Sequence, residues 1–529
     1  HEEVQGVLDT RVRLIDEQGE PVLPAEFIPA AEREHLMKNI DRWVIGASFS
    51  FCVARQPNLV FIRLSRDSVL DDSLIDWIEA RAHTRYRING QVAVVDAEGV
   101  IAAAFRQHTS RALDPQLHSH VVLANRVASP DGRWLAWSAQ SIPGFYADRA
   151  RLMLLDRASG VARSLSGDWD RSVGEIIWRG DSKAAYSAVD DAATHRIYRF
   201  DLNAPGKPVA ITASSSFGAL AVARRGGAKP LAVALRQSFT EPPTLVRLDL
   251  VNGQAVKLSS FNDSTLAGID FGTVESVNYP GAGGAPIQMW AVYPPGFDPT
   301  KKYPVFMLLH GGPHNGIQDA VQWRWNAHVF ASWGYIVTWH NFHGSSGFGQ
   351  AFTDSINPDR ISKPYEDTIK AAEWLAAKPY VDAERMVAGG GSYGGFLAST
   401  LLGRSHPYKA LIAHAAVYNS FTQIGADYGA ERDRFFEFWD RPEEFARYSP
   451  HTSAGNFVTP TLVIHGQQDF RVPVNHGIEL FNTLQKRGVP SRLVYYPDEN
   501  HWILKPQNSL FWYTEVRTWV EKYAPPGAR

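Results

Sequence analysis

The chain has 529 residues, one cysteine and a formal net charge of −2 at pH 7. This length gives room for two or more domains with buried cores. The nearly balanced charge provides no general attraction to nucleic acid or to an anionic membrane, and the lone cysteine, Cys52, excludes an internal disulfide framework. No apolar run approaches the length of a transmembrane helix. We therefore expect no nucleic-acid partner and no membrane partner.

The beginning of the chain shows no secretory signal peptide, since His1 is not followed by a basic segment and an apolar run. This favours a cytoplasmic over a periplasmic location. The sequence leaves the oligomeric state open.

Residues 1–78 differ in their patterns from the rest of the chain. Segments 13–19 and 23–32 resemble parts of an EAL domain, a module that hydrolyses cyclic-di-GMP with the help of metal ions. Aligned on that family, the metal-binding positions fall at Asp9 and Arg63. Because a cation stands at a position that needs a metal ligand, the resemblance implies a structural remnant without phosphodiesterase activity.

Residues 79–128 change character again. Segment 105–120 resembles the metal-site segment of conjugative relaxases, which nick plasmid DNA with a tyrosine nucleophile and a three-histidine metal site. His118 and His120 match the histidine pair of that family. Alternate residues of a strand point to the same face, so both rings can reach one ion, and they are weak candidates for metal ligands.

The rest of the relaxase machinery is incomplete. The third ligand position falls at Gln107, and His108 lies one residue out of register. The segment that would carry the catalytic tyrosine is missing. We therefore expect no DNA nicking, and the alternative interpretation of the histidine pair is a polar face of a sheet.

A repeat runs through residues 129–269. A strand that ends in an aspartate before a polar turn recurs at Asp156, Asp201 and Asp249, which are 45 and 48 residues apart. This spacing is typical of one four-stranded propeller blade per repeat. About three blades fit this length, fewer than the four to eight of a closed ring. We therefore predict a partial β-propeller, preceded by a mosaic α+β segment.

Residues 270–529 alternate between apolar strand runs and helical stretches, which indicates an α/β domain with a mainly parallel sheet covered on both faces. The predicted strands are 288–293, 305–309, 335–339, 386–388, 410–413 and 461–464. The predicted helices include 365–377, 474–487 and 508–523.

The motif Gly-Gly-Ser-Tyr-Gly at 390–394 fits the nucleophile elbow G-x-S-x-G. A strand run, 384–389, precedes it and a helix start, 395–402, follows it. The flanking glycines leave room for a strained turn that would hold the hydroxyl of Ser392 clear of the sheet. Ser392 is therefore the candidate nucleophile.

Two further residues complete a candidate triad. Asp469 and His501 each lie in a loop after a strand run, and the chain order Ser, Asp, His is that of α/β-hydrolases. Asp498 and Glu499 lie beside the histidine and compete with Asp469 as the acid that orients it. We favour Asp469 because it follows its own strand.

A candidate oxyanion hole completes the site. The loop His-Gly-Gly-Pro at 310–313 follows a strand. The backbone N–H groups of Gly312 and of Tyr393, the residue after the nucleophile, are the expected donors. We expect His310 and His314, which flank the loop, to hydrogen-bond to loop carbonyl groups and not to bind metal.

These motifs resemble the catalytic domain of the prolyl-oligopeptidase family of serine peptidases, and within it the dipeptidyl-peptidase and acylaminoacyl-peptidase branch. The resemblance rests on segments 310–313, 341–349, 391–395, 465–469 and 500–501. It implies an α/β-hydrolase fold behind a β-propeller, and a serine peptidase that acts near peptide N-termini through an acyl-enzyme. It implies no cofactor, and peptide substrates as the partners.

Three questions stay open at this stage. One alternative function is a carboxylesterase-type serine hydrolase, and another is an inactive mosaic of unrelated fragments. The aromatic stretches 323–325 and 435–439 either line an apolar substrate pocket or, as we favour, pack in the core. The carboxylate that would bind the free amine of a peptide cannot be named, and Arg471 is expected to brace its own loop.

Overall fold

The protein is described by a computed structural model that divides into two compact units, His1–Ser129 and Pro130–Arg529. The described residues are 7–10, 14–15, 21–22, 59–64, 83–88, 91–96, 101–107, 118–124, 129–223, 230–357, 359–427 and 436–527. Cys52, His108 and segments 23–32, 108–117 and 428–435 lie outside them.

The described part of the first unit consists of β-strands. They are β1 Val7–Thr10, β2 Leu14–Ile15, β3 Pro21–Val22, β4 Leu59–Leu64, β5 His83–Ile88, β6 Gln91–Asp96, β7 Ile101–Gln107 and β8 His118–Ala124. Four of them form one sheet in the order β1-β4-β8-β7, in which β1 and β4 are parallel and the other neighbours antiparallel. This sheet draws two strands from the segment that resembles an EAL domain and two from the segment that resembles a relaxase.

The second unit begins with three consecutive antiparallel sheets. Their strands are β9 Trp134–Ala139, β10 Arg151–Asp156, β11 Val161–Ser164, β12 Ile177–Trp178, β13 Ala184–Asp191, β14 Thr194–Asp201, β15 Val209–Ala210, β16 Ser216–Val222, β17 Leu231–Ser238, β18 Glu241–Asp249 and β19 Ala255–Lys257. The orders are β11-β10-β9, β12-β13-β14-β15 and β16-β17-β18-β19. The three repeat aspartates end β10, β14 and β18, so each repeat corresponds to one sheet.

Neighbouring antiparallel sheets share apolar clusters. Leu152 and Leu154 of the first sheet pack with Phe200 of the second, and Ile197 of the second packs with Val246 of the third. Along β18 buried and more exposed residues alternate, as a strand with one covered face requires. The three antiparallel sheets therefore pack on one another in chain order through these clusters.

The rest of the second unit is built on one eight-stranded sheet. Its strands are β20 Val274–Pro280, β21 Pro286–Val292, β22 Tyr303–Leu309, β23 Ile336–His340, β24 Val381–Gly391, β25 Ala410–His414, β26 Thr461–Gly466 and β27 Ser491–Tyr496. They lie in the order β20-β21-β23-β22-β24-β25-β26-β27. β21 is antiparallel to both of its neighbours, β20 and β23, and the other six strands, β22 to β27, are parallel to one another.

Helices cover both faces of this sheet. The α-helices are α1 Asp263–Leu266, α2 Ala327–Ser332, α3 Gln350–Asp354, α4 Ser362–Ala376, α5 Tyr393–Leu402, α6 Pro442–Arg447, α7 Asn475–Lys486 and α8 Pro506–Tyr523, and short 3-10 turns span Ala282–Gly284, Ser420–Gly425 and Pro450–Asn456. Residues of α4, α5 and α7 belong to the apolar cluster on one face, and residues of α2 and α8 to the cluster on the other. The predicted mixed α/β fold with a mainly parallel sheet is confirmed.

Candidate active site

Ser392 sits on a sharp turn between β24 and α5. β24 ends at Gly391, α5 begins at Tyr393, and Ser392 between them has φ 60° and ψ −120°. A side chain at positive φ is strained, and such strain persists where the surrounding structure enforces it. Here the Ser392 N–H donates to the carbonyl oxygen of His414 at 2.9 Å, and the Ser392 carbonyl accepts from Phe396 at 2.9 Å. The strand, turn and helix that the motif requires are all present.

The glycines of the elbow allow a very close approach of two chain segments. A Cβ on Gly394 would lie 2.0 Å from the carbonyl oxygen of Leu309, and one on Gly390 would lie 2.2 Å from the same atom. Leu309 is the last residue of β22. The close packing therefore brings the elbow against the loop that follows β22, which is the predicted oxyanion loop.

That loop passes directly beside Ser392. A Cβ built on Gly311 would lie 3.3 Å from the Cβ of Ser392 and 3.9 Å from its Oγ. Gly312 has φ 125°, in the region that favours glycine. As the first residue of α5, Tyr393 has an N–H without an acceptor inside the helix. The backbone of two segments, the loop after β22 and the start of α5, thus lies beside the serine.

His310 and His314 shape the loop through hydrogen bonds, as predicted. The Nδ1 of His310 lies 2.8 Å from the carbonyl oxygen of Gly311, and its Nε2 lies 2.9 Å from the Oγ of Ser345. The Nδ1 of His314 lies 3.0 Å from the carbonyl oxygen of Gly344. The ring of His310 stacks on Phe342 with centroids 3.9 Å apart. Burial lowers the pKa of His310 to about 3, so this ring is neutral at physiological pH.

Asp469 and His501 are joined by a short hydrogen bond, with 2.7 Å between Asp469 Oδ2 and His501 Nδ1. The other carboxylate oxygen, Oδ1, accepts from the backbone N–H groups of Arg471 and Val472 at 3.0 and 2.9 Å. Burial alone would raise the pKa of Asp469, but hydrogen bonds from His465 and His501 outweigh burial and hold that pKa below its ordinary value. The group is therefore a carboxylate that can orient the imidazole of His501.

The competing acids next to His501 have other partners. Asp498 pairs with the Lys505 ammonium at 2.6 Å. Glu499 accepts from the backbone N–H groups of Leu504 and Lys505, each at 2.9 Å, just before α8 begins. Both carboxylates are thus used to shape the loop that carries His501, and Asp469 is the acid that contacts it.

The structure adds His465, which was not predicted as a site residue. Its Nε2 lies 3.4 Å from the Asp469 Oδ2 and 2.8 Å from the carbonyl oxygen of Val472. It is fully buried, and it contacts the same carboxylate oxygen of Asp469 as His501 does. The available sequence signal was its place four residues before Asp469. Arg471 pairs with Asp427 and braces its loop, as expected.

The two aromatic stretches proposed for one pocket lie in different places. Trp323 and Trp325 line a cleft of about 280 Å³, open to solvent, together with residues of α8. Phe436 and Phe438 instead pack with Phe445. Core packing, the alternative that we favoured, describes Trp325, which is buried, but not Trp323 and Trp439, which are exposed. The two stretches do not share one pocket in their described residues.

His118 and His120 lie on β8, where their backbone partners are Gln107 and Phe105 of β7. Their side chains lie outside the described part of the structure, so the metal site stays a prediction. No group of three or more potential metal-binding side chains occurs within the described ranges. In those ranges, no helix has both the length and the apolar character required to cross a bilayer.

Comparison with known protein families gives two matches. Residues 321–526 match the prolyl oligopeptidase family, and residues 61–150 match the TrwC relaxase family. The second match crosses the boundary between the two units and includes β9, the first strand of the antiparallel sheets. The relaxase resemblance is thereby supported over a longer segment than 79–128, while the EAL resemblance stays a prediction.

Among curated proteins, the chain is similar to dipeptidyl-peptidases 5. It is 35% identical over 414 residues to a probable dipeptidyl-peptidase 5 of Aspergillus terreus, covering 75% of this chain and 56% of that protein. It is 33% identical over 407 residues to the dipeptidyl-peptidase 5 of Porphyromonas gingivalis, covering 75% and 58%. The chain thus spans a little over half the length of these relatives.

Solved structures of similar fold include peptidases. The acylaminoacyl peptidase of Pyrococcus horikoshii aligns with a TM-score of 0.66 at 19% identity, over 84% of this chain and 66% of that one. The dipeptidyl peptidase 4 of Porphyromonas gingivalis aligns with a TM-score of 0.63 at 19% identity, over 80% and 60%. The match to the prolyl oligopeptidase family at residues 321–526 therefore covers the serine elbow and both members of the Asp469–His501 pair.

Proposed function

We propose that the chain is a serine peptidase that releases short fragments from peptide N-termini, of the dipeptidyl-peptidase or acylaminoacyl-peptidase type. The observation that carries the proposal is the 2.7 Å hydrogen bond between Asp469 and His501, in a site with a strained serine elbow and a glycine loop beside it. The names of the relatives support the substrate class.

In this proposal Ser392, Asp469 and His501 form the catalytic triad. A serine hydroxyl is a weak nucleophile, so His501 takes its proton as Ser392 attacks the peptide carbonyl. His501 then gives the proton to the leaving amine, which departs and leaves an acyl-enzyme. In the second half of the reaction His501 takes a proton from water, the water attacks the acyl carbon, and His501 returns the proton to the oxygen of Ser392. Asp469 holds the imidazole in the correct tautomer and stabilises the imidazolium.

The oxyanion of the tetrahedral intermediate would be held by the N–H groups of Tyr393 and Gly312. Such donors are fixed before the reaction, and each contributes about 3 to 4 kcal/mol of barrier lowering. The neutral His310 ring adds to this preorganisation because its hydrogen bond to Ser345 and its stacking on Phe342 fix the loop.

We further propose that the three antiparallel sheets are blades of an incomplete β-propeller in front of the peptidase region. Their strand orders, the match of each repeat to one sheet and the similarity to relatives of greater length support this proposal.

The test is labelling of the purified full-length chain with a fluorophosphonate, beside the variant Ser392→Ala, followed by assays on dipeptidyl and acylaminoacyl p-nitroanilides and on p-nitrophenyl esters. We expect labelling of the unmodified chain only, and hydrolysis of the anilides. Labelling with ester hydrolysis alone would favour a carboxylesterase. Absence of labelling in a folded sample would contradict the proposal and favour an inactive mosaic.

A further inference from the structure

A cleft lies behind the loop that carries His501, on the face of the sheet covered by α8. Its volume is about 280 Å³, including the part open to solvent. Trp323, Trp502 and Trp512 provide its apolar walls, and Arg324 and His414 line it with polar atoms. Trp502 directly follows His501 in the chain, so the cleft adjoins the catalytic histidine.

Among the described residues, the guanidinium of Arg324 has no anionic partner. It lies 3.8 Å from the centroid of the Trp502 ring, and no described carboxylate or carbonyl group accepts a hydrogen bond from it. Burial lowers the pKa of Arg324 to about 10, which leaves it cationic at neutral pH. A guanidinium offers five N–H donors and prefers carboxylate, whose two oxygens match its planar fork.

His414 supplies a second donor. Trp512 donates its Nε1–H to the Nδ1 of His414 at 3.3 Å. Burial lowers the pKa of His414 well below its ordinary value, so the ring is neutral and its proton lies on Nε2. That Nε2 is buried and has no hydrogen-bond partner among the described residues. Unpaired buried donors are uncommon and call for an acceptor.

The site is also close to the nucleophile. The carbonyl group of His414 accepts from the N–H of Ser392, and a Cβ on Gly391 would lie 3.4 Å from the Nε1 of Trp325, a further wall residue. In the proposed mechanism His501 protonates the leaving amine, so the leaving group departs on the side of the histidine loop. The cleft therefore adjoins the part of the substrate that follows the scissile bond.

We propose that this cleft binds the leaving group of the cleaved peptide, an apolar or aromatic residue whose free α-carboxylate is held by Arg324. This inference rests on the proposed function and makes its substrate class narrower. Two donors that have no acceptor among the described residues select an acceptor group, and the four tryptophans of the cleft select an apolar side chain. Short peptides with one aromatic residue after the scissile bond are the expected substrates.

The test compares Ala-Ala-Phe with its C-terminal amide, using kcat/KM for release of phenylalanine or phenylalaninamide by the full-length chain. A charged hydrogen-bonded pair predicts that the free acid is preferred roughly 10- to 100-fold. Arg324→Gln should reduce this ratio to about one, and Arg324→Lys should restore part of it because a point charge remains. Arg517→Gln, which removes an arginine near Trp333 outside the cleft, should leave the ratio unchanged.

A ratio near one in the unmodified chain, or an equal ratio in Arg324→Gln, would overturn the proposal. A binding measurement separates it from the function itself. Tryptophan fluorescence is titrated with L-phenylalanine and with L-phenylalaninamide, in the unmodified chain and in Arg324→Gln. Saturable binding of phenylalanine that requires Arg324 supports the cleft even where no peptide is hydrolysed, and its absence contradicts the cleft even where peptides are hydrolysed.

Discussion

The eight-stranded sheet and the three antiparallel sheets use strands in opposite ways. In the eight-stranded sheet, β22, β24, β26 and β27 run parallel, and each is followed at its carboxyl end by a loop of the candidate site. In the antiparallel sheets successive strands reverse direction, so their loops are divided between two edges. Parallel strands gather loops that are far apart in sequence at one edge, which is where catalytic groups can converge.

Burial differs in the same way. The central strands of the eight-stranded sheet are buried on both faces, whereas the antiparallel sheets expose apolar residues such as Val161, Leu231 and Val256. A sheet held by two apolar layers can keep a strained serine in place. The comparison predicts that changes in the elbow affect activity and stability far more than changes in the antiparallel sheets.

The largest expected effect is that of Ser392→Ala. Removing the nucleophile should lower kcat on a p-nitroanilide by roughly a million-fold, because the other triad members lose their function with it. The control is Ser399→Ala in α5, the helix that follows Ser392. The buried Oγ of Ser399 has no hydrogen-bond partner in the described structure. Comparable loss in both variants would show that the helix and not the hydroxyl matters.

Asp469→Asn should follow, with kcat lower by about 10⁴-fold, since the amide favours the wrong tautomer of His501. The matched control is Asp427→Asn, which removes the partner of Arg471 in the neighbouring loop and should change kcat by less than about tenfold. Steady-state kinetics measure kcat of both variants. An unchanged kcat in Asp469→Asn would show that this aspartate is not part of the triad.

Gly394→Ala tests the stability of the elbow. Its Cβ would lie 2.0 Å from the Leu309 carbonyl oxygen, so β22 or the elbow must move, at a cost of about 3 kcal/mol or more in the free energy of unfolding. Gly455→Ala is the control, because a Cβ there meets nothing within 4 Å. Urea denaturation of both variants measures the difference, and equal stability would mean that the two segments separate readily.

The most gradual effect is expected from acid. Burial lowers the pKa of His310 to about 3 and of His340 to about 4, below the ordinary value of about 6.5 in the unfolded chain. The unfolded state therefore binds more protons between pH 6.5 and 4, and stability present above pH 6.5 is lost as the pH falls. Each such group contributes a slope of about 1.4 kcal/mol per pH unit.

Denaturation between pH 7 and pH 4 measures this slope for the whole chain, with loss of activity as a second signal from the eight-stranded sheet. The described histidine of the antiparallel sheets, His195, lies partly exposed near Asp190. We expect the eight-stranded sheet to lose its structure first on acidification. Survival of activity at a pH that unfolds the antiparallel sheets would reverse the comparison.

Local sequence patterns were sufficient to predict the elements around the site. Small residues at 390, 391 and 394 and the order Ser392, Asp469, His501 were sufficient to predict a strand, a turn and a helix at the elbow, because local backbone geometry depends on local residues. The period of the aspartates at 156, 201 and 249 predicted one unit per repeat, and each repeat forms one sheet.

The side-chain contacts of the candidate site could be identified only in the folded structure. The sequence offered both Asp498 and Asp469 as the acid that orients His501. In the structure Asp498 pairs with Lys505, and Asp469, in the loop after β26, contacts the histidine. The place of Arg324 likewise depends on a contact with a distant residue, Trp502, whereas His465 contacts Asp469 only four residues away. Contacts between segments that are far apart in sequence depend on how those segments pack, so local patterns in the chain cannot predict them.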